Sequence, residues 1–187
     1  MSQVTKRALE NALKHFLSQK PLNKVTISDL TEYCGISRMT FYYHFDDIYD
    51  LVTWCCEENI RRAWEGKNLR DTWQDGFRSI FEMALRDRDF LLNVYRVIGR
   101  DQAQKYIMPY IQQVITQIVD TESAPDTVSP ADRQFVADCY NYIFSGILLD
   151  WVQGGMREEP ERIVERTDTL LRGSCAQALA RFSHRPS

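Results

Sequence analysis

The chain has 187 residues, 44% of them hydrophobic and 26% charged, with a net charge of −3 at pH 7 and a pI near 5.7. That length can bury a substantial core, as one large domain or as a small domain fused to a larger one, and the net acidity gives no global sign of nucleic-acid binding. Five cysteines without a C-x-x-C pair, three scattered histidines and no run of ~18 apolar residues exclude a disulfide framework, a zinc site and a membrane span.

The first predicted element is a helix over residues 4–19, because Ala8/Leu9, Ala12/Leu13 and Phe16/Leu17 recur at intervals of four and form one apolar stripe. Lys20-Pro21-Leu22-Asn23 breaks it. Thr26 and Asp29 then have the spacing of a capping box, so a second helix starts there. It is short, because Gly35 supplies the backbone freedom that a helix end and turn require, and Ser37 can cap a third helix at once. Two helices separated by a glycine-centred turn are the helix-turn-helix plan. In the third helix Phe41 and Phe45 are four apart and can pack beneath with Leu30, Cys34 and Ile36. Arg38, Met39, Tyr42 and Tyr43 lie on another face, with Thr40 alongside. An arginine can pair bidentately with guanine, tyrosine and threonine hydroxyls can bond phosphate, and helix N-termini attract anions.

Asp46 and Asp47 place negative charge at the start of a fourth helix, which carries Leu51, Val52, Cys55, Ile60 and Trp64 and stops at Gly66. From Asp71 onward the pattern is helical with almost no strand signal. Helices are expected over 71–86 (Trp73, Phe77, Ile80, Phe81, Ala84), 88–99 (Phe90, Leu91, Val94, Tyr95, Ile98) and 101–120, the last kinked at Pro109. A polar loop over 121–129 follows. Pro130 opens a helix to residue 153, stopped by Gly154-Gly155, and Pro160 opens a last helix to residue 182. The helix over 130–153 is apolar nearly all round and must be buried on more than one side. The expected fold is all-α with about nine helices: a helix-turn-helix unit over 1–47 and a helical unit over 48–187, with the fourth helix as connector.

The stretch from Thr26 to Phe45 closely resembles the DNA-binding motif of the TetR family of bacterial transcription regulators, through Thr26, Asp29, Leu30, Gly35, Ser37, Thr40, Phe41, Tyr42, His44 and Phe45. The resemblance implies that Ser37, Arg38, Met39, Thr40 and Tyr43 face the major groove or its rim, with Thr26, Tyr42 and His44 on phosphates. It implies a ligand cavity among the helices of the second unit, with Trp73, Phe77, Phe81, Tyr95, Tyr106, Tyr110, Cys139 and Tyr140 as candidates. It also implies homodimerisation through the last two helices, for which Phe144, Leu148, Trp151, Ile163, Thr167, Leu170, Ser174 and Ala178 are candidates. The fourth helix would link the two units, so that its tilt can transmit a ligand signal. Residues 146–156 look similar to a subgroup of regulators of dihydroxyacetone kinase operons, where the effector can be another protein. One departure is Ile48, where the family often has a lysine near the start of the fourth helix. An isoleucine cannot hold a phosphate; Lys24 or the helix N-terminus could substitute.

Charge distribution agrees with a DNA-facing head: residues 1–45 hold six basic and three acidic side chains, net +3, which leaves −6 for the rest. Taken singly, Arg38 and Tyr42 read as exposed helix residues, Met39 as a gap filler and each aromatic of the second unit as ordinary core; the combination with the capped turn favours DNA contact. No phosphate-binding glycine loop, nucleophile–histidine motif or metal-ligand cluster is present, so neither an enzyme nor a metal or cofactor is expected. Asp87, Asp89 and the run Glu158, Glu159 and Glu161 read as helix-start charges. The N-terminus lacks the apolar core of a signal peptide, which points to a cytoplasmic protein. The function expected is a repressor that binds a palindromic double-stranded operator as a homodimer and answers to a small-molecule or protein effector. The alternative is a protein–protein adaptor or a partner-dependent activator acting through the second unit, favoured by Ile48 and by Asp46, Asp47 and Asp50 near the presumed DNA face.

Overall fold

The computed structural model describes residues 2–64, 73–122 and 128–183, which form nine α-helices and one 3₁₀ turn. The helices are α1 (Ser2–Leu17), α2 (Ile27–Cys34), α3 (Arg38–His44), α4 (Ile48–Trp64), α5 (Trp73–Arg86), α6 (Arg88–Glu122), α7 (Pro130–Gln153), α8 (Pro160–Leu171) and α9 (Ser174–Ser183), with the 3₁₀ turn at Leu22–Lys24. No strand occurs among the described residues, so the fold is all-α. The expected helix boundary at Gly66, the start at Asp71, the side chains of Ile60 and Trp64, and residues 123–127 of the expected loop lie outside the described residues.

Two cores organise the molecule. The apolar stripe of α1 (Leu9, Ala12, Leu13, Leu17) packs on Leu22, Val25, Leu30, Phe41 and Phe45. This head core also takes in Leu51, Val52 and Cys55 of α4 and Phe90 and Val94 of α6. Phe41 and Leu30 are fully buried, and burying a side chain of that size stabilises by about 1.5–3 kcal/mol. The second core joins α5 to the far part of α6 and to α7, α8 and α9. Its centre is aromatic. The Phe77 ring lies 4.7 Å from those of Phe81 and Phe144, Trp73 is 5.2 Å from Phe144, and Phe81 is 4.8 Å from Trp151, all near edge-to-face.

Two elements differ from the sequence reading. Pro109, expected to kink the helix over 101–120, keeps helical dihedrals, whereas the boundary expected between the helices over 88–99 and 101–120 is present as a break inside α6 at Gly99 (φ 73, ψ 175). Only glycine adopts that backbone readily. Pro109 is solvent-exposed, so water can satisfy the carbonyl that lacks its N–H partner. The helix expected over 160–182 is broken: Arg172 leaves the helical region and Gly173 takes φ 70 before α9 begins. Gly173, with no side chain, accommodates the sharp corner.

Candidate nucleic-acid interface and effector cavity

Local hydrogen bonds hold the helix-turn-helix. The Thr26 hydroxyl accepts from Asp29 N (3.1 Å) while the Asp29 carboxylate accepts from Thr26 N (2.8 Å), closing the capping box. Lys20 Nζ adds a bond to the same carboxylate at 2.7 Å. The Lys20 ammonium, then the Thr26 N–H and hydroxyl, hold the Asp29 carboxyl at about 2, well below the usual carboxylate range. Gly35 ends α2 in the left-handed region (φ 64, ψ 33), and Ser37 caps α3 by accepting from Thr40 N at 3.1 Å. Phe41 and Phe45 anchor the inner face of α3, so the outer face is fixed without being covered.

That outer face carries the expected residues together. Tyr43 is 82% exposed, Met39 79% and Tyr42 48%. Ser37 and Arg38 are also exposed, and Thr40 and His44 are half-buried at the edges. Thr26 is exposed one helix away. Its hydroxyl donates to Asp29, a bond that contact with another acceptor would have to replace. Two of the three aspartates that argued against DNA have a local explanation: Asp47 Oδ1 accepts from Asp50 N (2.8 Å) and Asp50 Oδ2 accepts from Asp46 N (3.0 Å), so the Asp47 and Asp50 carboxylates cap the start of α4. Ile48 packs half-buried against the head core. Lys24, on the 3₁₀ turn, is exposed.

The candidate ligand residues divide. Tyr95 and Tyr106 line a cavity of about 100 Å³ with Ile80, Met83, Leu91, Val94, Ile107 and Leu149. Cys56, Asn59 and Asp87 add polar groups to its wall, and none of them was expected there from sequence. Burial, then the nearby Glu57 carboxylate, pushes the Cys56 thiol up to about 12, so it stays protonated. Asp87 stands at the start of α6, as expected, and its Oδ2 also accepts from Lys14 Nζ of α1 at 2.8 Å and from Asn59 Nδ2 of α4 at 3.0 Å. Tyr106 is held by Thr53 Oγ1 (3.0 Å) and Gln102 Nε2 (3.2 Å). Phe77 and Phe81 are committed to the aromatic core, and Cys139 is exposed on α7. Trp73 and Tyr140 line a separate cavity of about 50 Å³, and Tyr110 lies half-buried with its phenol pushed up by burial.

The expected dimer residues also divide. Phe144, Leu148, Trp151, Ile163 and Thr167 are buried within the single chain, and Trp151, Ile163 and Thr167 line an open groove with Leu170. Leu170 is 75% exposed, and Ser174 and Ala178 are half-buried. The apolar side chains that α7 leaves bare are Phe135, Tyr142 and Ile143.

A capped helix-turn-helix under a separate helical body is the architecture of a one-component DNA-binding regulator. The family model described as bacterial regulatory proteins, tetR family, matches residues 9–53, and that described as transcriptional regulator C-terminal region matches residues 71–173. The chain belongs to the TetR family and is a transcriptional regulator. It is 19% identical over 125 residues to the dhaKLM operon transcriptional activator DhaS of Lactococcus lactis, a match over 67% of this chain and 66% of that protein. The structure of a dihydroxyacetone kinase operon activator DhaS superposes with a TM-score of 0.72 at 14% identity, covering 98% of this chain and 99% of that one. NalD of Pseudomonas aeruginosa, a repressor of a multidrug efflux pump, gives 0.62 at 16% identity, covering 91% and 96%. Thermus thermophilus FadR, a repressor in complex with lauroyl-CoA, gives 0.56 at 14%, covering 89% and 92%. No described helix is long and apolar enough to cross a membrane.

Proposed function

We propose that the protein is a cytoplasmic regulator that binds a palindromic operator as a homodimer and is released from it by an effector held among α4, α5, α6 and α7. The observation that carries the reading is the outer face of α3, where Arg38, Met39 and Tyr43 stand bare on a helix whose inner face is locked into the head core. Arg38, Met39 and Tyr43 enter the major groove, with Ser37 and Thr40 at its rim, and Thr26, Tyr42 and His44 take phosphates. Lys24 supplies the backbone contact that Ile48 cannot. Two copies pair through the exposed apolar side chains Phe135, Tyr142, Ile143 and Leu170, and the two α3 helices then fall about one turn of the duplex apart (~34–36 Å), matching an inverted repeat. An apolar cavity of about 150 Å³ can hold benzene; the present cavity of about 100 Å³ therefore suits an effector of few heavy atoms. An effector that prefers a state with wrongly spaced α3 helices weakens DNA binding by linkage.

The test is selection of bound fragments from a random duplex library by the purified protein, with a salt titration of the winners. An enriched inverted repeat whose affinity falls steeply with salt supports the reading. No enrichment at low salt moves the adaptor reading to the front. A second reading, an activator that answers to a protein partner, is favoured by the match to DhaS along nearly the whole chain. It predicts that the selected fragment lies upstream of a gene that is expressed less, not more, when the regulator is deleted.

A further inference from the structure

The cavity of about 100 Å³ among α4, α5, α6 and α7 is walled mainly by aliphatic side chains such as Ile80, Leu91, Val94, Ile98, Ile107 and Leu149. The polar side chains that reach it are committed to one another or to groups outside the wall. Tyr95 donates its hydroxyl to Gln153 Oε1 at 3.3 Å, and the Tyr106 hydroxyl bonds Thr53 Oγ1 at 3.0 Å and Gln102 Nε2 at 3.2 Å. What each tyrosine adds to the wall is therefore chiefly its ring. Asn59 Nδ2 donates to Asp87 Oδ2 at 3.0 Å, and Lys14 Nζ holds the same oxygen at 2.8 Å while standing 3.1 Å from Glu10 Oε1. This ammonium already serves two carboxylates. The Cys56 thiol stays protonated, and a thiol is a weak hydrogen-bond partner.

We propose that the cavity takes an uncharged, hydrocarbon-like molecule with at most one hydrogen-bonding group, and rejects anions, ammonium ions and polyols of the same size. The inference rests on the reading of this cavity as the effector site. Affinity comes from burying the ligand's apolar surface. A carboxylate or phosphate would stand beside Asp87 with only a shared lysine to answer it, and an ammonium would have to take Asp87 from Lys14 and Asn59. A polyol would set hydroxyls against aliphatic side chains, and each hydrogen bond left unmade weakens binding by about 5–150-fold. The single polar group that fits belongs at the edge formed by Cys56 and Asn59, which are three apart on α4 and share a face.

The test uses the full-length protein without DNA, with isotope-labelled methionine methyl groups read by NMR. Met83 lines the cavity and reports on its contents, and Met39, exposed on α3, is the control; Met83→Leu and Met39→Leu assign the two signals. The probes are benzene and, at similar size, dihydroxyacetone, butyrate and butylammonium. Benzene should shift the Met83 methyl saturably and leave Met39 in place, while each of the other three should bind more than about fivefold more weakly. Ala103→Leu, which puts extra carbon into the cavity wall, should weaken the benzene response, and Ala103→Val replaces it if it does not fold. Absence of a saturable Met83 shift with benzene overturns the proposal. So does a polar or charged probe that half-saturates within about fivefold of benzene, or a benzene response that the Ala103 variant leaves unchanged. Benzene that fills the cavity without releasing a selected operator fragment sinks the effector reading instead and leaves the ligand class standing.

Discussion

Glu10 on α1 is only 2% exposed, and its carboxylate is held by Arg62 of α4 through two bonds of 3.2 and 2.9 Å, with Lys14 at 3.1 Å. The Glu10 hydrogen bond is the main reason that the Arg62 guanidinium is held above its usual value, with the Glu58 carboxylate adding to it. Arg62→Met keeps the stem that packs between the helices and removes the charge. Breaking a buried pair by removing one partner costs about 3–5 kcal/mol, because it strands a desolvated charge. Here Lys14 remains, and Arg62 is 34% exposed, so solvent screening discounts the loss to about 2–3 kcal/mol. At roughly 2–4 °C per kcal/mol for a protein of this size, thermal unfolding followed by circular dichroism at fixed protein concentration should fall by about 4–12 °C. Glu10→Leu combined with Arg62→Met removes both charges together and should recover about 1–3 kcal/mol relative to the sum of the single losses. A single-variant loss under about 0.5 kcal/mol, or strict additivity, would refute the view that this pair holds α1 to α4.

Arg38→Ala should leave thermal stability unchanged, since the side chain is exposed, while costing about 1–3 kcal/mol of operator binding and relaxing one base position in a repeated selection; equal losses on every sequence would make it a phosphate contact. Thr26→Ala removes the N-cap of α2 and should cost about 1 kcal/mol in chemical denaturation. Asp29 titrates at about 2 in the fold, below its ordinary value near 3.8; its contribution is therefore complete above pH ~4 and lost as the pH falls toward 2. In Lys20→Met an NMR titration should show the Asp29 carboxyl moving back up, and no movement would contradict the assigned cause. Cys56, held up at about 12, should resist an aromatic disulfide reagent at pH 8 until the protein is unfolded, and prompt labelling of Cys56, read by peptide mapping, would contradict its placement.

The head was legible because its signals are local. Thr26 and Asp29, Gly35, and Ser37 and Thr40 each act within three or four residues, so their spacing carries their structure. The body was less so. An all-round apolar helix such as α7 must be buried on several sides, but which side meets α5 and which faces outward depends on partners far along the chain: Phe144 packs on Phe77 and Trp151 on Phe81, pairings that no local pattern announces. The break at Gly99 falls where one helix was expected to end and the next to begin, whereas the kink expected at Pro109 did not form. Gly173, by contrast, lay inside an unbroken apolar repeat. The polar wall of the cavity rests on Lys14 and Asp87, 73 residues apart, a pairing that a single sequence does not encode in any local pattern.

In the proposed function, the exposed face of α3, presented twice by a dimer, reads duplex DNA. Hydroxyl-radical footprinting on the selected fragment tests it most directly, with Arg38→Ala as the control. Two protected patches are expected on one face of the duplex, about one helical turn apart, both weakened together by Arg38→Ala. A footprint that Arg38→Ala leaves intact, or one continuous patch without two-fold symmetry, would contradict that reading.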